Sequence, residues 1–363
     1  MNMIVFKDKK YCFVEFFNPQ NGFLMRTDST ETGMNPVMRS FPELLDVGVM
    51  GHCESSNMGL CKNAGVDCYQ MASRSKRKNM WIDDYCKIVD ESEGKVFQIA
   101  LGGAGDPNKH ENFEDILKYT RHHNIVPNYT TSGYNLTEQE VLKTRDYCGS
   151  VAVSFYTRLI DGTESNAQTI MAIKTFLSAG CRTNVHYVVS TDTIDEVVHR
   201  IENNIFPEGI AAVVLLLYKP SGFGVKEKTL SYHQSGKLRK LVEAVESLEH
   251  PYEIGFDTCF TPALLSYSKK IDFASIDFCE AARFSMYIDC EMNAFPCSFD
   301  SCNREYIFPM KNKKIIEAWN SDQFSAFRRN QEKRCPVCSH NALCLGGCSL
   351  FDEVNLCGKR TSA

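Results

Sequence analysis

Ten of the 17 cysteines lie after residue 250, and four of these fall in the spacing C-x2-C-x5-C-x3-C at Cys335, Cys338, Cys344 and Cys348. Cys357 follows nine residues later, and Cys279, Cys290, Cys297 and Cys302 stand upstream. Four thiolates gathered in space bind Zn²⁺ or an iron–sulfur cluster, because both take tetrahedral sulfur donors. Gly346-Gly347 supplies backbone able to turn around such a site. Spacing alone leaves a zinc ribbon and an iron–sulfur site both open.

A second group, Cys53, Cys61 and Cys68, sits in GHCESSNMGLCKNAGVDCYQ, just after the apolar run Leu45–Met50. Three thiolates instead of four suit a cluster that keeps one iron open for another ligand. A third feature is Gly102-Gly103-Ala104-Gly105-Asp106-Pro107. Glycines at the end of a strand let backbone approach a ligand closely, although an ordinary strand-to-helix turn accounts for them as well.

The elements that must hold these residues read as alternating strand and helix. Short β-rich runs fall at Leu45–Met50, Val96–Leu101, Ile125–Thr131, Val151–Tyr156, Thr183–Val189, Ala211–Tyr218 and Glu253–Phe256. Runs such as Val213-Val214-Leu215-Leu216-Leu217 suit strands buried on both faces. Between them lie helical stretches near 71–92, 112–123, 137–147, 163–179, 193–204 and 233–249. Thr137 with Glu140 and Thr193 with Glu196 have the spacing of capping boxes. Repeated βα units form a parallel barrel or open sheet, whose ligands bind at the C-terminal ends of the strands.

Residues 1–44 read as a small β element, 45–260 as the α/β unit, and 261–363 as a cysteine-rich, loop-rich domain with one helix near 314–330. The total of 363 residues agrees with about two domains. A net charge of -5 offers no broad electrostatic case for nucleic acid. Lys7, Asp8, Lys9 and Lys10 interrupt the N-terminal apolar stretch, and no apolar run approaches membrane-spanning length. The expectation is a cytoplasmic protein without a membrane partner, in a compartment that keeps thiolates free for metals.

From about residue 45 to 357 the chain resembles the radical S-adenosylmethionine superfamily with a C-terminal SPASM domain. The resemblance rests on the cysteine triplet closed by Cys68-Tyr69, on Cys279 followed by the hairpin Ala294-Phe295-Pro296-Cys297, and on the C-x2-C-x5-C-x3-C run with Cys357. It implies a partial (β/α)6 TIM barrel followed by a small SPASM iron–sulfur domain. It also implies three [4Fe–4S] clusters: one on Cys53, Cys61 and Cys68 that binds S-adenosylmethionine, and two auxiliary clusters. By position, Cys279, Cys297 and Cys348 serve the first auxiliary cluster, with Cys290 as its fourth ligand in preference to Cys302. Cys335, Cys338, Cys344 and Cys357 serve the second.

Cofactor contacts follow by place: Tyr69, Gly102, Gly103, Ala104, Gly105, Asp106, Ser132, Ser154, His186 and Leu217. The sequence departs from the family pattern in three places. The triplet reads C-x7-C-x6-C where the family has C-x3-C-x2-C, a Gly-Gly-Glu motif is replaced by the segment ending in Asp106, and Met292 stands at the glycine of the SPASM hairpin. Asp257 and Asp300 are the candidate catalytic acid or base. Sulfatase-maturing relatives place an aspartate directly after the cysteine that matches Cys297, where this chain has Ser298.

The implied activity is reductive cleavage of S-adenosylmethionine to a 5′-deoxyadenosyl radical that abstracts hydrogen from a ribosomally made peptide. Radical oxidation or epimerisation of a small molecule such as a carbohydrate is the alternative, and a non-catalytic iron–sulfur or zinc protein a more distant one. The 44 residues before the barrel are expected to be too short for a separate leader-binding domain. The electron donor is expected to be external, such as a flavodoxin or ferredoxin.

Overall fold

The structure, a computed structural model, describes residues 3–29, 36–272 and 275–358. It opens with an antiparallel meander of β1 (Ile4–Asp8), β2 (Phe13–Phe17) and β3 (Leu24–Asp28). One face of the meander docks on the rest of the chain. Phe17 stacks on Phe97 at 5.0 Å, and buried Glu15 meets buried Arg39 Nε at 2.7 Å.

The central sheet begins with β4 (Leu44–Met50) and α1 (Leu60–Asn63), then α2 (Ile82–Ser92), β5 (Gln98–Gly103) and α3 (Phe113–His122). It continues with β6 (Val126–Thr131), α4 (Glu138–Tyr147) and β7 (Val151–Ser154). A small hairpin, β8 (Leu159–Ile160) and β9 (Thr163–Glu164), precedes α5 (Ala167–Ser178). Then come β10 (Thr183–Val189), α6 (Ile194–Glu202), β11 (Ala212–Leu217), α7 (Ser235–Ser247), β12 (Glu253–Phe256) and α8 (Thr261–Tyr267). All seven strand runs expected from the sequence are present, paired in parallel in the order β12-β11-β10-β7-β6-β5-β4. Among the described residues β12 pairs only with β11, so the parallel sheet stays open at that edge and the barrel is partial, not closed.

The C-terminal segment supplies β13 (Ser285–Ile288), β14 (Asn293–Phe295) and β15 (Phe308–Pro309), then α9 (Ile315–Trp319), α10 (Asp322–Lys333) and α11 (Asn341–Cys344). β13 pairs in parallel with β4, Ser285 opposite Leu44, so one ten-stranded sheet runs through both parts. The expected boundary near residue 260 is thus crossed by main-chain hydrogen bonds. Among the described residues no helix is long and apolar enough to cross a membrane.

Three helical expectations differ in detail. The stretch 71–81 holds only a 3-10 turn at Ala72–Arg74 followed by irregular chain, and α2 starts at Ile82 with Asp83 and Asp84 in its first turn. Close backbone packing explains the delay: a Cβ on Gly51 would lie 2.1 Å from Lys78 O, so this segment runs flush against the end of β4. The expected helix near 314–330 breaks between α9 and α10, where Ser321 caps the new start. The Thr137–Glu140 capping box forms, but Thr193 instead donates to Val188 O at 2.8 Å, and Glu196 pairs with Arg158 and Arg200.

Candidate functional site

Cys53, Cys61 and Cys68 lie in the enlarged loop after β4, at the C-terminal end of the barrel strands, with Cys61 on α1. All three are partly exposed. Burial pushes Cys53 and Cys61 up; Asp106 and Cys68 add to this at Cys53, and Cys68 and Cys53 add to it at Cys61. Cys68 Sγ accepts from Ala72 N at 3.4 Å, and Cys53 Sγ meets Ser55 Oγ at 3.4 Å.

The glycines at and just past the end of β5 explain how this loop is seated. A Cβ on Gly103 would lie 2.4 Å from Met50 O, and one on Gly105 would lie 2.3 Å from His52 O. Ala104 N donates to Met50 O at 2.8 Å. Gly103 and Gly105 therefore admit the backbone that carries Cys53. Gly102 faces another way: a Cβ there would lie 3.6 Å from Asp46 Oδ1.

A small cavity beside Cys53 is lined by Met50, Glu54, Ser55, Asp106, Lys109 and Tyr134. Asp106 accepts from Ser132 N at 2.8 Å and from Ser132 Oγ at 2.5 Å, and burial holds its carboxyl above the usual range. Two residues singled out separately in the sequence thus form one unit. Ser154 and His186 are register partners on β7 and β10. His186 Nδ1 stands 3.3 Å from Thr130 Oγ1, and burial lowers its pKa to about 4. Tyr69 packs on Phe299 at 4.7 Å. The Leu217 side chain is buried, while its backbone N donates to Asp257 Oδ2 at 2.9 Å.

The remaining thiols form two sets. Cys335, Cys338, Cys344 and Cys357 lie together: burial raises Cys335, with Cys357 and Cys338 adding to it, and burial pushes Cys344 up to about 12, with Cys357 and Cys335 adding. Leu345, Gly346 and Gly347 all have left-handed backbone (φ 49°, 75° and 75°), which reverses the chain between Cys344 and Cys348. In the other set, burial raises Cys279 and Cys297, and each feels Cys348. Among the described residues no three Cys, His, Asp or Glu side chains converge tightly enough for a single metal ion.

A further cysteine stands beside Cys348. Cys259, at the start of the turn after β12, stands within hydrogen-bonding reach of Cys348. Cys290 lies beside Arg77 and Asp289, and Cys302 Sγ donates to Tyr69 O at 3.0 Å near Cys68. The groups acting most on Cys290 are Arg77, Asp289 and Glu291, not another thiol. Cys290 is favoured in the sequence by its place between Cys279 and Cys297, while Cys259 stands out there only as following a strand end; the pairing of β12 with β11 sets its place in the sheet.

Both candidate catalytic aspartates are engaged with the protein. Asp257 accepts from the backbone N of Leu217 and Cys259 and from Lys219 Nζ. Asp300, fully buried, accepts from Glu305 N and Tyr306 N at 3.0 and 2.9 Å, and burial raises its pKa to about 6. Two charged residues went unread in the sequence. Asp46 is the single charge in Leu-Leu-Asp-Val-Gly-Val-Met of β4, and burial raises its carboxyl to about 7, with Ser298 opposing. Lys219 stands two residues past the apolar run of β11, after Tyr218. In each case a lone charge at an apolar strand was the available signal.

Comparison with known proteins agrees with this architecture. Residues 279–342 match the SPASM iron–sulfur cluster-binding domain. No curated protein matches the chain in sequence. Among solved structures, Streptococcus suis SuiB bound to S-adenosylmethionine is similar at a TM-score of 0.70 and 14% identity, over 98% of this chain and 97% of that one. SuiB bound to precursor peptide SuiA is similar at 0.70 and 15%, over 95% and 94%. Histidine-tagged anSMEcpe with bound AdoMet is similar at 0.60 and 16%, over 88% and 90%.

Proposed function

We propose that this chain, whose fold is the partial barrel and SPASM domain of radical S-adenosylmethionine enzymes, performs that reaction on a peptide substrate. The observation that carries the reading is the trio Cys53, Cys61 and Cys68 beside a small cavity at the C-terminal mouth of the barrel. The trio is all thiol and leaves a fourth position free, a donor set that fits a cubane with one open iron. Cys53, Cys61 and Cys68 would hold such a cluster, which when bound and reduced would supply the one electron that splits S-adenosylmethionine into methionine and a 5′-deoxyadenosyl radical.

The chain's own residues then have definite tasks. Asp106, held by Ser132, receives the methionyl amine in the cavity beside Cys53. Ser154, neutral His186 and Tyr69 line the barrel where the nucleoside and the reacting carbon meet. Inside the barrel the radical would be kept from solvent, would take one hydrogen atom from substrate and would leave as 5′-deoxyadenosine. Cys259, Cys279, Cys297 and Cys348 form one auxiliary donor set, and Cys335, Cys338, Cys344 and Cys357 the other. A flavodoxin or ferredoxin supplies the electron. Peptide is favoured as substrate because SuiB with precursor peptide SuiA and anSMEcpe with the Cp18Cys peptide share the fold.

The test is anaerobic reconstitution of the full chain with iron and sulfide, followed by dithionite and S-adenosylmethionine. The expected results are about twelve irons per chain and formation of 5′-deoxyadenosine that is lost in the triple variant Cys53→Ala, Cys61→Ala, Cys68→Ala. A colourless, zinc-loaded protein, or a triple variant that still makes 5′-deoxyadenosine, overturns the reading.

A further inference from the structure

Lys219 is the buried cation at the junction of the two thiol regions. Its side chain is only 5% exposed. Nζ donates to Asp257 Oδ2 at 2.8 Å and to Leu217 O at 3.0 Å, and lies 4.6 Å from the centre of the Phe299 ring. The far side of that environment leads to the barrel trio, since Phe299 packs on Tyr69, which follows Cys68. The near side is the set around Cys348: Asp257 Oδ1 accepts from Cys259 N at 2.8 Å, and Cys259 reaches Cys348.

A buried ammonium so placed needs more explanation than one carboxylate. Asp257 already has two backbone N–H donors, from Leu217 and Cys259, so its charge is satisfied without a lysine. Through Asp257 the ammonium stands one carboxylate away from the backbone of Cys259. Phe299, whose ring it faces, follows Cys297 by two residues, so the cation lies between two segments of that thiol set.

We infer that Lys219 is a positioning residue that sets the reduction potential of the auxiliary cluster held by Cys259, Cys279, Cys297 and Cys348; this rests on the reading proposed above. The reason is electrostatic. Reducing a thiolate-ligated cluster adds one negative charge in a low-dielectric site, and a fixed cation nearby stabilises the reduced form. Removing the cation moves the potential downward. The consequence for chemistry is direction: a cluster of higher potential is the better acceptor for the electron that a substrate radical gives up when it loses a proton and becomes a closed-shell product.

The experiment is a potentiometric titration of the reconstituted full chain, without substrate, each cluster followed by its electron paramagnetic resonance signal. Lys219→Met and Lys219→Gln are expected to shift one cluster to more negative potential and leave the other two unchanged, while Lys219→Arg keeps the wild-type value. Iron content shows that each variant is loaded, and having both neutral variants guards against misfolding of one. Unchanged potentials in loaded neutral variants overturn the inference and leave the proposed function standing. Wild-type protein that takes up zinc and no cluster overturns both.

Discussion

Ser132 holds Asp106 with two hydrogen bonds, its amide N to Oδ1 at 2.8 Å and its hydroxyl to Oδ2 at 2.5 Å. The clasp spans β5's end and β6's end, so two strands jointly aim one carboxylate at the cavity beside Cys53. Removing the hydroxyl leaves the carboxylate with one donor fewer. Hydrogen bonds to charged groups contribute about 1.5–3 kcal/mol. Ser132→Ala is therefore expected to weaken S-adenosylmethionine binding by roughly tenfold or more, and Asp106→Ala further, with iron content unchanged. Isothermal titration of the reconstituted protein checks this, and full affinity in both variants would remove Asp106 from the site.

The thiol sets make a separate prediction. Cys259→Ala should weaken retention of one auxiliary cluster, whereas Cys290→Ala should not. Iron and acid-labile sulfide per chain after anaerobic gel filtration are the readout. Loss from Cys290→Ala with retention in Cys259→Ala would restore the assignment expected from sequence position.

Gly105 is predicted to be intolerant of the smallest side chain. A methyl group there meets His52 O at 2.3 Å and Cys53 Cα at 3.1 Å, both backbone atoms of the cluster loop. Overpacking of this kind costs about 1–3 kcal/mol. Gly105→Ala should lower the denaturation midpoint and release iron from the Cys53 trio first. Gly236→Ala, where nothing lies within 4 Å, serves as the control.

His186 gives a pH signature. Burial lowers its pKa from 6.5 to about 4. The unfolded chain thus binds more protons than the folded chain between those values, so stability from this group is fully present above pH 6.5 and is lost as pH falls toward 4. His186→Gln should flatten the wild-type loss in that window, measured as the difference in thermal midpoint between about pH 7 and pH 4.5 for wild type and variant. Identical pH slopes would mean that His186 is not buried in its neutral form.

Much of this was legible in the chain. Strands buried on both faces carry unbroken apolar runs, so Val213–Leu217 could be read directly, and the seven parallel strands followed. The cysteine spacing near the C-terminus was equally plain. What escaped reading were relationships between distant segments. The β13–β4 pairing joins Ser285 to Leu44 across most of the chain, and no local pattern encodes it. The replacement of the helix expected at 71–81 depends on contact with Gly51. Lys219 and Cys259 are joined through Asp257 only once β11 and β12 pair.

The pairing of β4 with β13 also bears on how the protein is made. β4 carries the loop of the Cys53 trio, yet one of its edges has no partner strand until residue 288 has left the ribosome. At about 5–20 residues per second, synthesis of the intervening segment takes on the order of 10–50 s. During that interval the strand Leu44–Met50 is an open, apolar edge of the kind that recruits other chains into aggregates. Ribosome-bound or truncated chains ending before Ser285 should therefore depend on chaperones, and their solubility should return when the segment through Ile288 is restored.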